Sequence, residues 1–217
     1  MERIFASLYR LGSAPNRRGL SHSYLLLRKE GNLLVCHQSG PSAEDFDEIE
    51  KLGGIESQWI SHQHDTIRGS LHEDLYTRFG CKLHHHRADS SGVRRKSKCP
   101  YVRFEDDGLE HGSDFEAVYL PTCTVGHTVF RWRNRGKYFL FTSHALYRQN
   151  NKWALQFAKH HRSHWLPHLA KLGKLRVDYV FPGYTEVHAE GFYRLDDQMR
   201  NSLSRALRTR FKAASKN

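Results

Sequence analysis

A layered α/β domain is predicted by three observations. Short apolar runs of strand character recur along the chain, helical patterns are interleaved with them, and turn residues separate the two. The order is several strands, helix, strand, helix, several strands, helix, strand, helix. Such interleaving suits one compact domain over residues 1–217. No internal repeat or low-complexity linker divides it.

The elements follow in order. Residues Ser21–Leu27 and Asn32–His37 are apolar runs around Lys29-Glu30-Gly31, which predicts a hairpin. Pro41-Ser42 opens a helix: Ser42 can cap it, Glu44 and Asp45 suit its positive end, and Phe46, Ile49 and Leu52 share one face until Gly53-Gly54. Ser57–Ser61 is a short strand. Leu71, Leu75 and Phe79 recur every four residues in a helix closed by Gly80. Cys81–His86 reads as a strand, and residues 87–100, polar and basic, as a loop. Tyr101–Phe104 and Phe115–Leu120 are further strands. Thr128–Arg133 and Lys137–Thr142 flank Asn134-Arg135-Gly136, a second hairpin. Trp153–Leu172 reads as helical, with Pro167 expected to break or kink it. Val177–Phe181 is a strand, and Asp196–Phe211 a final helix with an Arg-rich face.

A chain of 217 residues can bury a large core without disulfides. Cys36, Cys81, Cys99 and Cys123 are scattered with no C-x-x-C pair, so a reducing compartment is expected. The start has no apolar stretch of signal-peptide length, and nothing approaches the ~20 apolar residues of a membrane span. A cytoplasmic protein with no membrane partner is therefore expected. The formal charge of +11 favours anionic partners. A small anionic substrate fits, and nucleic acid is a second partner class, through Arg94-Arg95-Lys96-Ser97-Lys98 and the cations of residues 205–216. Solvated surface charge is the plain reading of the same clusters. Nothing fixes the oligomeric state.

The chemistry concentrates on His62-Gln63-His64, which follows an apolar run. In extended backbone, side chains at i and i+2 share a face, so two imidazoles can aim at one point. A third, His127, follows a glycine in Thr124-Val125-Gly126-His127-Thr128 and can complete a three-nitrogen metal site.

Four stretches, SHQHDTIRGS, LPTCTVGHTVF, YFLFTSHAL and YVFPGYTEVH, occur in this order with strands and helices between them. Over residues 20–190 the chain resembles the metallo-β-lactamase superfamily. That resemblance implies a four-layered αββα sandwich with metal held by loops at one edge. It also implies that His62, His64 and His127 bind the first metal. The second metal's positions hold Thr66, Ile67 and Tyr184, and the bridging aspartate is His144. Hydroxyl and phenol are poor ligands at neutral pH and isoleucine is none. A mononuclear site follows, with a position left for water. His144 either fills that position as a fourth nitrogen or stands beside it as an acid–base group. Tyr184 is a candidate phenol donor to substrate. Asp65 lies one position early for the family's aspartate; a one-residue deletion would align it.

One divalent ion is thus expected, zinc first, with iron or nickel also accepting imidazoles. The implied activity is hydrolysis of an ester, thioester, amide or phosphoester. The alternatives are a non-catalytic module of the same fold that binds nucleic acid, and a one-iron oxygen chemistry that the loss of the aspartate disfavours. His84-His85-His86 is read as alternating strand residues, His160, His161, His164 and His168 as a solvated helix face, and Cys123 as packing.

Overall fold

A computed structural model describes residues 1–16, 19–67, 69–105, 108–158, 162–185 and 190–215. His160, His161 and Lys216 lie outside them. The described residues form two compact units, residues 1–105 and 106–217.

The first unit contains β1 (Glu2–Phe5), β2 (Leu8–Asn16), β3 (Gly19–Leu26), β4 (Leu33–Cys36), α1 (Ala43–Lys51), β5 (Ser57–Ile60), α2 (Leu71–Phe79), β6 (Lys82–His86), α3 (Ser90–Arg94) and β7 (Tyr101–Phe104). Its strands lie side by side in chain order. β1 to β4 are antiparallel neighbours; β4 to β7 run parallel. The switch to parallel pairing is forced by the crossover helices, since parallel strands cannot be joined by tight turns. α1 starts as its sequence dictates: the backbone N–H of Ser42 donates to Asp45 Oδ2 at 2.9 Å. Leu34, Ile49, Ile60, Leu75 and Leu83 bury the helices against one face of this sheet. Asn32 closes the unit's turns, with Nδ2 donating to the carbonyls of Leu52 and Gly54, both at 2.9 Å.

The second unit contains β8 (Gly108–His111), β9 (Phe115–Tyr119), β10 (Thr128–Asn134), β11 (Lys137–Ser143), β12 (Leu146–Gln149), β13 (Lys152–Leu155), α4 (Arg162–Lys174), β14 (Tyr179–Pro182), β15 (Tyr184–Thr185), β16 (Tyr193–Arg194) and α5 (Asp197–Ser215). One sheet has the order β16-β14-β11-β10-β9-β8, and β12 and β13 form a separate hairpin. The turn between β10 and β11 is the predicted one. Asn134 pairs with Lys137, and both Arg135 (φ 49°) and Gly136 (φ 75°) are left-handed, as a two-residue turn requires. Val129, Leu140, Val180, Trp165, Leu169 and Leu207 build this unit's core from sheet and helices.

Three expectations need correction. Residues 87–100 are not a plain loop: a 3₁₀ turn (Arg87–Asp89) and α3 occupy the first half. The helix expected over Trp153–Leu172 is a strand at its start, because Trp153 pairs with Arg148 across the β12–β13 hairpin. Pro167 lies inside α4 rather than ending it. It is the sixth residue of α4, past the first turn, so one N–H of the hydrogen-bond ladder is lost there.

Candidate metal centre

In the first unit, the carboxyl ends of the parallel strands carry the chemistry, as in open α/β sheets generally. His37 follows β4, and His62 follows β5 after Ser61. Cys36 and Ile60 are register partners, so His37 leaves its strand end level with Ser61, one residue before His62. Between them sits Asp65, buried like both histidines. His62 Nδ1–H donates to Asp65 Oδ2 at 3.0 Å and His37 Nδ1–H donates to the same oxygen at 3.3 Å. Burial alone would push the Asp65 carboxyl up. The charge of His62 and the hydrogen bonds from His37 and His62 outweigh it and hold the group well below the usual carboxylate range. An ionised carboxylate only accepts, so each facing Nδ1 carries its proton and Nε2 keeps the lone pair of the neutral ring. Asp65 is therefore an orienting group for His62; no realignment is needed to give it a role.

Gln63, between the two motif histidines, is held from three sides. Its N–H donates to Asp89 Oδ2 at 2.9 Å, and its carbonyl accepts from Lys96 Nζ at 2.6 Å. A Cβ at Gly92 would lie 1.5 Å from Gln63 Oε1, so only glycine lets α3 close on this side chain. Lys96, placed by sequence in a basic cluster, thus also fastens the motif. Arg94 and Arg95 are exposed. The rings of His62 and His64 stand 5.0 Å apart at 84°, His62 buried and His64 exposed. Thr66 is buried, and Ile67 belongs to the hydrophobic core, its N–H donating to His72 Nε2 at 3.0 Å.

In the second unit, residues 120–128 fold into a stapled turn. The His127 carbonyl accepts from Leu120 N–H at 3.0 Å, its N–H donates to Thr124 O at 3.2 Å, and Tyr119 Oη donates to Val125 O at 2.7 Å. Thr122 Oγ1 hydrogen-bonds His127 Nδ1, which leaves Nε2 as the outward nitrogen. His144 follows Ser143 at the end of β11, where Ser143 adopts φ 49° and its carbonyl accepts from Gly183 N–H at 2.6 Å. A left-handed serine is strained, and the strain turns residue 144 out of the strand direction. The rings of His127 and His144 are 5.4 Å apart. Tyr184 is half-buried, its ring 4.8 Å from that of Tyr147.

The ring spacings test the fit to a metal. Two imidazoles on one tetrahedral ion, with metal–nitrogen bonds of about 2.1 Å, hold their centroids about 5 Å apart. The His62–His64 and His127–His144 pairs, at 5.0 and 5.4 Å, both meet that geometry. Of the other histidines, His84, His85, His86 and His168 are engaged in contacts of their own. His84 stacks on Trp59 at 4.3 Å, His85 Nε2 bonds Ser90 Oγ at 3.1 Å on the opposite face, and His86 packs edge-on to Phe104. His168 packs edge-on to Tyr119, and His164 is exposed. Sequence reasoning misses His37: residues 37 and 65 are distant along the chain, and only strand register unites them.

The role of Asp65 gives a first expected result. Asp65→Asn should weaken metal binding about 10- to 100-fold, the usual cost of losing a carboxylate behind a ligating histidine. Competition with a chromophoric chelator measures it; unchanged affinity would remove Asp65 from the site.

The sequence matches no family model and no curated protein. Solved structures define the class: the chain has the metallo-β-lactamase fold, the α/β architecture expected from its motifs. It is similar to a metallo-β-lactamase from Pontibacter korlensis, with 16% identity, a TM-score of 0.67, and coverage of 95% of this chain and 97% of that one. It is also similar to a metallo-β-lactamase family protein from Thermus thermophilus (16%, TM-score 0.62, coverage 97% and 82%). A class B3 di-zinc metallo-β-lactamase from an Alaskan soil metagenome is a third such structure (15%, TM-score 0.61, coverage 98% and 93%). At these identities what is shared is the fold. No helix among the described residues is long and apolar enough to cross a membrane.

Proposed function

We propose that this protein is a mononuclear metal-dependent hydrolase. His62, His64 and His127 hold one divalent ion, zinc before iron, and the two units form one working domain. The observation that carries the reading is the 5.0 Å spacing of the His62 and His64 rings, with Nδ1 of His62 donating to Asp65 so that its Nε2 is the ligating atom. A divalent ion held by imidazoles supplies Lewis acidity and makes water acidic enough to act near neutral pH.

The remaining steps belong to the protein. Asp65 keeps His62 in its ligating tautomer. His144, beside His127, serves either as a fourth nitrogen or as the group that carries a proton between water and leaving group. Tyr184 offers a phenol to the substrate's developing oxyanion. The substrate class is an ester, thioester, amide or phosphoester, and the +11 charge favours an anionic one. The second-metal positions, Thr66, Ile67 and Tyr184, supply no carboxylate or imidazole.

Purified protein should contain about one equivalent of metal. It should hydrolyse members of a panel of anionic esters, thioesters and phosphoesters, lose that activity on chelation, and regain it with zinc. Two equivalents of metal would overturn the mononuclear assignment. The rival reading is a non-catalytic nucleic-acid binder using Arg94, Arg95, which are exposed, and α5. It requires steeply salt-dependent binding that survives chelation.

A further inference from the structure

The sequence assigns Cys123 to packing, yet the second unit places it with chemistry. It lies one residue beyond Thr122 in the turn that presents His127, and its backbone N–H points at His127 Nδ1 at 3.4 Å. Its Sγ and a ring nitrogen of His144 are within 4.8 Å of each other. The thiol is half-buried, whereas Cys36, Cys81 and Cys99 are buried. A half-buried sulfur beside the His144 imidazole is a donor pair rather than core.

We infer that Cys123 is a thiolate ligand of the metal, and that this leaves His144 to carry the proton. The inference rests on the proposed binding of one divalent ion by His62, His64 and His127.

Charge is the first reason. Three neutral imidazoles leave the full +2 of the ion in a largely buried site, and an uncompensated buried charge is costly. The two positions where the resemblance implies an aspartate carry Thr66 and His144, neither of them an anion at neutral pH. The carboxylate in the first motif, Asp65, is spent on the Nδ1 protons of His62 and His37. Cys123 supplies the missing negative charge at the atom that touches the metal.

Distance is the second reason. On a tetrahedral ion with a metal–sulfur bond of about 2.3 Å, sulfur and a neighbouring ligand nitrogen stand about 3.6 Å apart. The Cys123–His144 separation, at most 4.8 Å, is within a side-chain rotation of that value. His144 is thus next to the sulfur in either role. With the sulfur ligating, four protein donors (three nitrogens and one sulfur) hold the ion. A zinc ion so held would still accept water or substrate, since zinc tolerates a fifth ligand. Ligation releases one proton: the Sγ–H bond breaks, the sulfur pair forms the metal bond, and the proton passes to His144 or solvent.

Cobalt(II) replacing zinc tests this in the full chain. The expected spectrum combines visible ligand-field bands with a near-ultraviolet sulfur-to-cobalt charge-transfer band. Cys123→Ser should abolish the charge-transfer band and keep the visible bands; His144→Ala should keep both. A bound, coloured cobalt protein lacking the charge-transfer band would overturn the thiolate while leaving the histidine site standing. Failure to bind cobalt at all would overturn both. A second measurement needs no variant: zinc loading should slow iodoacetamide alkylation of Cys123, followed by peptide mass spectrometry, by at least about tenfold, because ligated sulfur is withdrawn from attack. Equal alkylation rates with zinc bound would also overturn the assignment.

Discussion

Alanine at His127 is expected to strip the metal from the protein, lowering affinity by well over about a hundredfold, beyond the loss seen when only an outer partner of a ligand is removed. The imidazole is fully buried, Thr122 fixes its Nδ1, and the turn of residues 120–128 fixes its backbone. The effect reaches stability through mass action. A ligand present at 100 times its dissociation constant stabilises the native state by about 2.7 kcal/mol. Zinc titration should therefore raise the melting temperature of the wild type and leave His127→Ala flat. His84→Ala, which loses a stacking partner of Trp59, should bind metal normally however much it destabilises the fold. Metal retained in full by the His127 variant would end the three-histidine reading.

How much of this is legible in the sequence depends on the range of the interaction that decides each feature. Local signals suffice for the β3–β4 hairpin, for α1 with its Ser42–Asp45 cap, and for the tight turn at Arg135-Gly136. Each is settled within a few residues by capping, periodicity or turn chemistry. β1 and β2 carry no such signal. They are strands because β3 offers them a pairing edge, as the register from Leu8↔Leu26 to Asn16↔Gly19 shows. α3 is hidden by Ser90, Ser91 and Gly92, which are weak helix formers, and by the basic run that follows it. Its place is set by the contact of Gly92 with Gln63 and by Asp89 reaching the Gln63 backbone. His62, His64, His127 and His144 can be nominated because their motifs are short. Asp65 looks like a misplaced ligand in the sequence because its partner His37 comes from another strand end. Cys123 is read as packing because a cysteine outside a C-x-x-C pattern has no spacing that points to a site.

Acidification should unfold the first unit well above the pH at which ordinary carboxylates protonate. The cause is three histidines, His22, His72 and His85, each lowered to about 4, with burial the largest cause in every case. His72 shows the physics most plainly. It is fully buried, its Nδ1–H donates to Gln58 Oε1 at 2.7 Å, and its Nε2 accepts from Ile67 N–H at 3.0 Å. Both nitrogens are satisfied only in the neutral ring. A second proton would break the Ile67 bond and bury a charge. The unfolded chain, with a histidine pKa near ~6.5, takes that proton readily. Neutral His72 therefore contributes its full stability above about pH 6.5, and that contribution falls away as the pH drops toward 4. A depression of this size corresponds to about 3 kcal/mol for His72 alone, a large share of the ~5–15 kcal/mol of a typical domain. Asp65, held low, adds to the same trend only at more acid pH, since its contribution persists until the pH falls through its depressed value. Urea unfolding between pH 7.5 and pH 4.5 measures the loss. In His72→Gln the stability at pH 7.5 should already be lower, and the further drop to pH 4.5 should shrink by about 3 kcal/mol relative to wild type. If the two proteins lose stability in parallel across that range, the buried imidazole of His72 is not what makes this unit acid-labile.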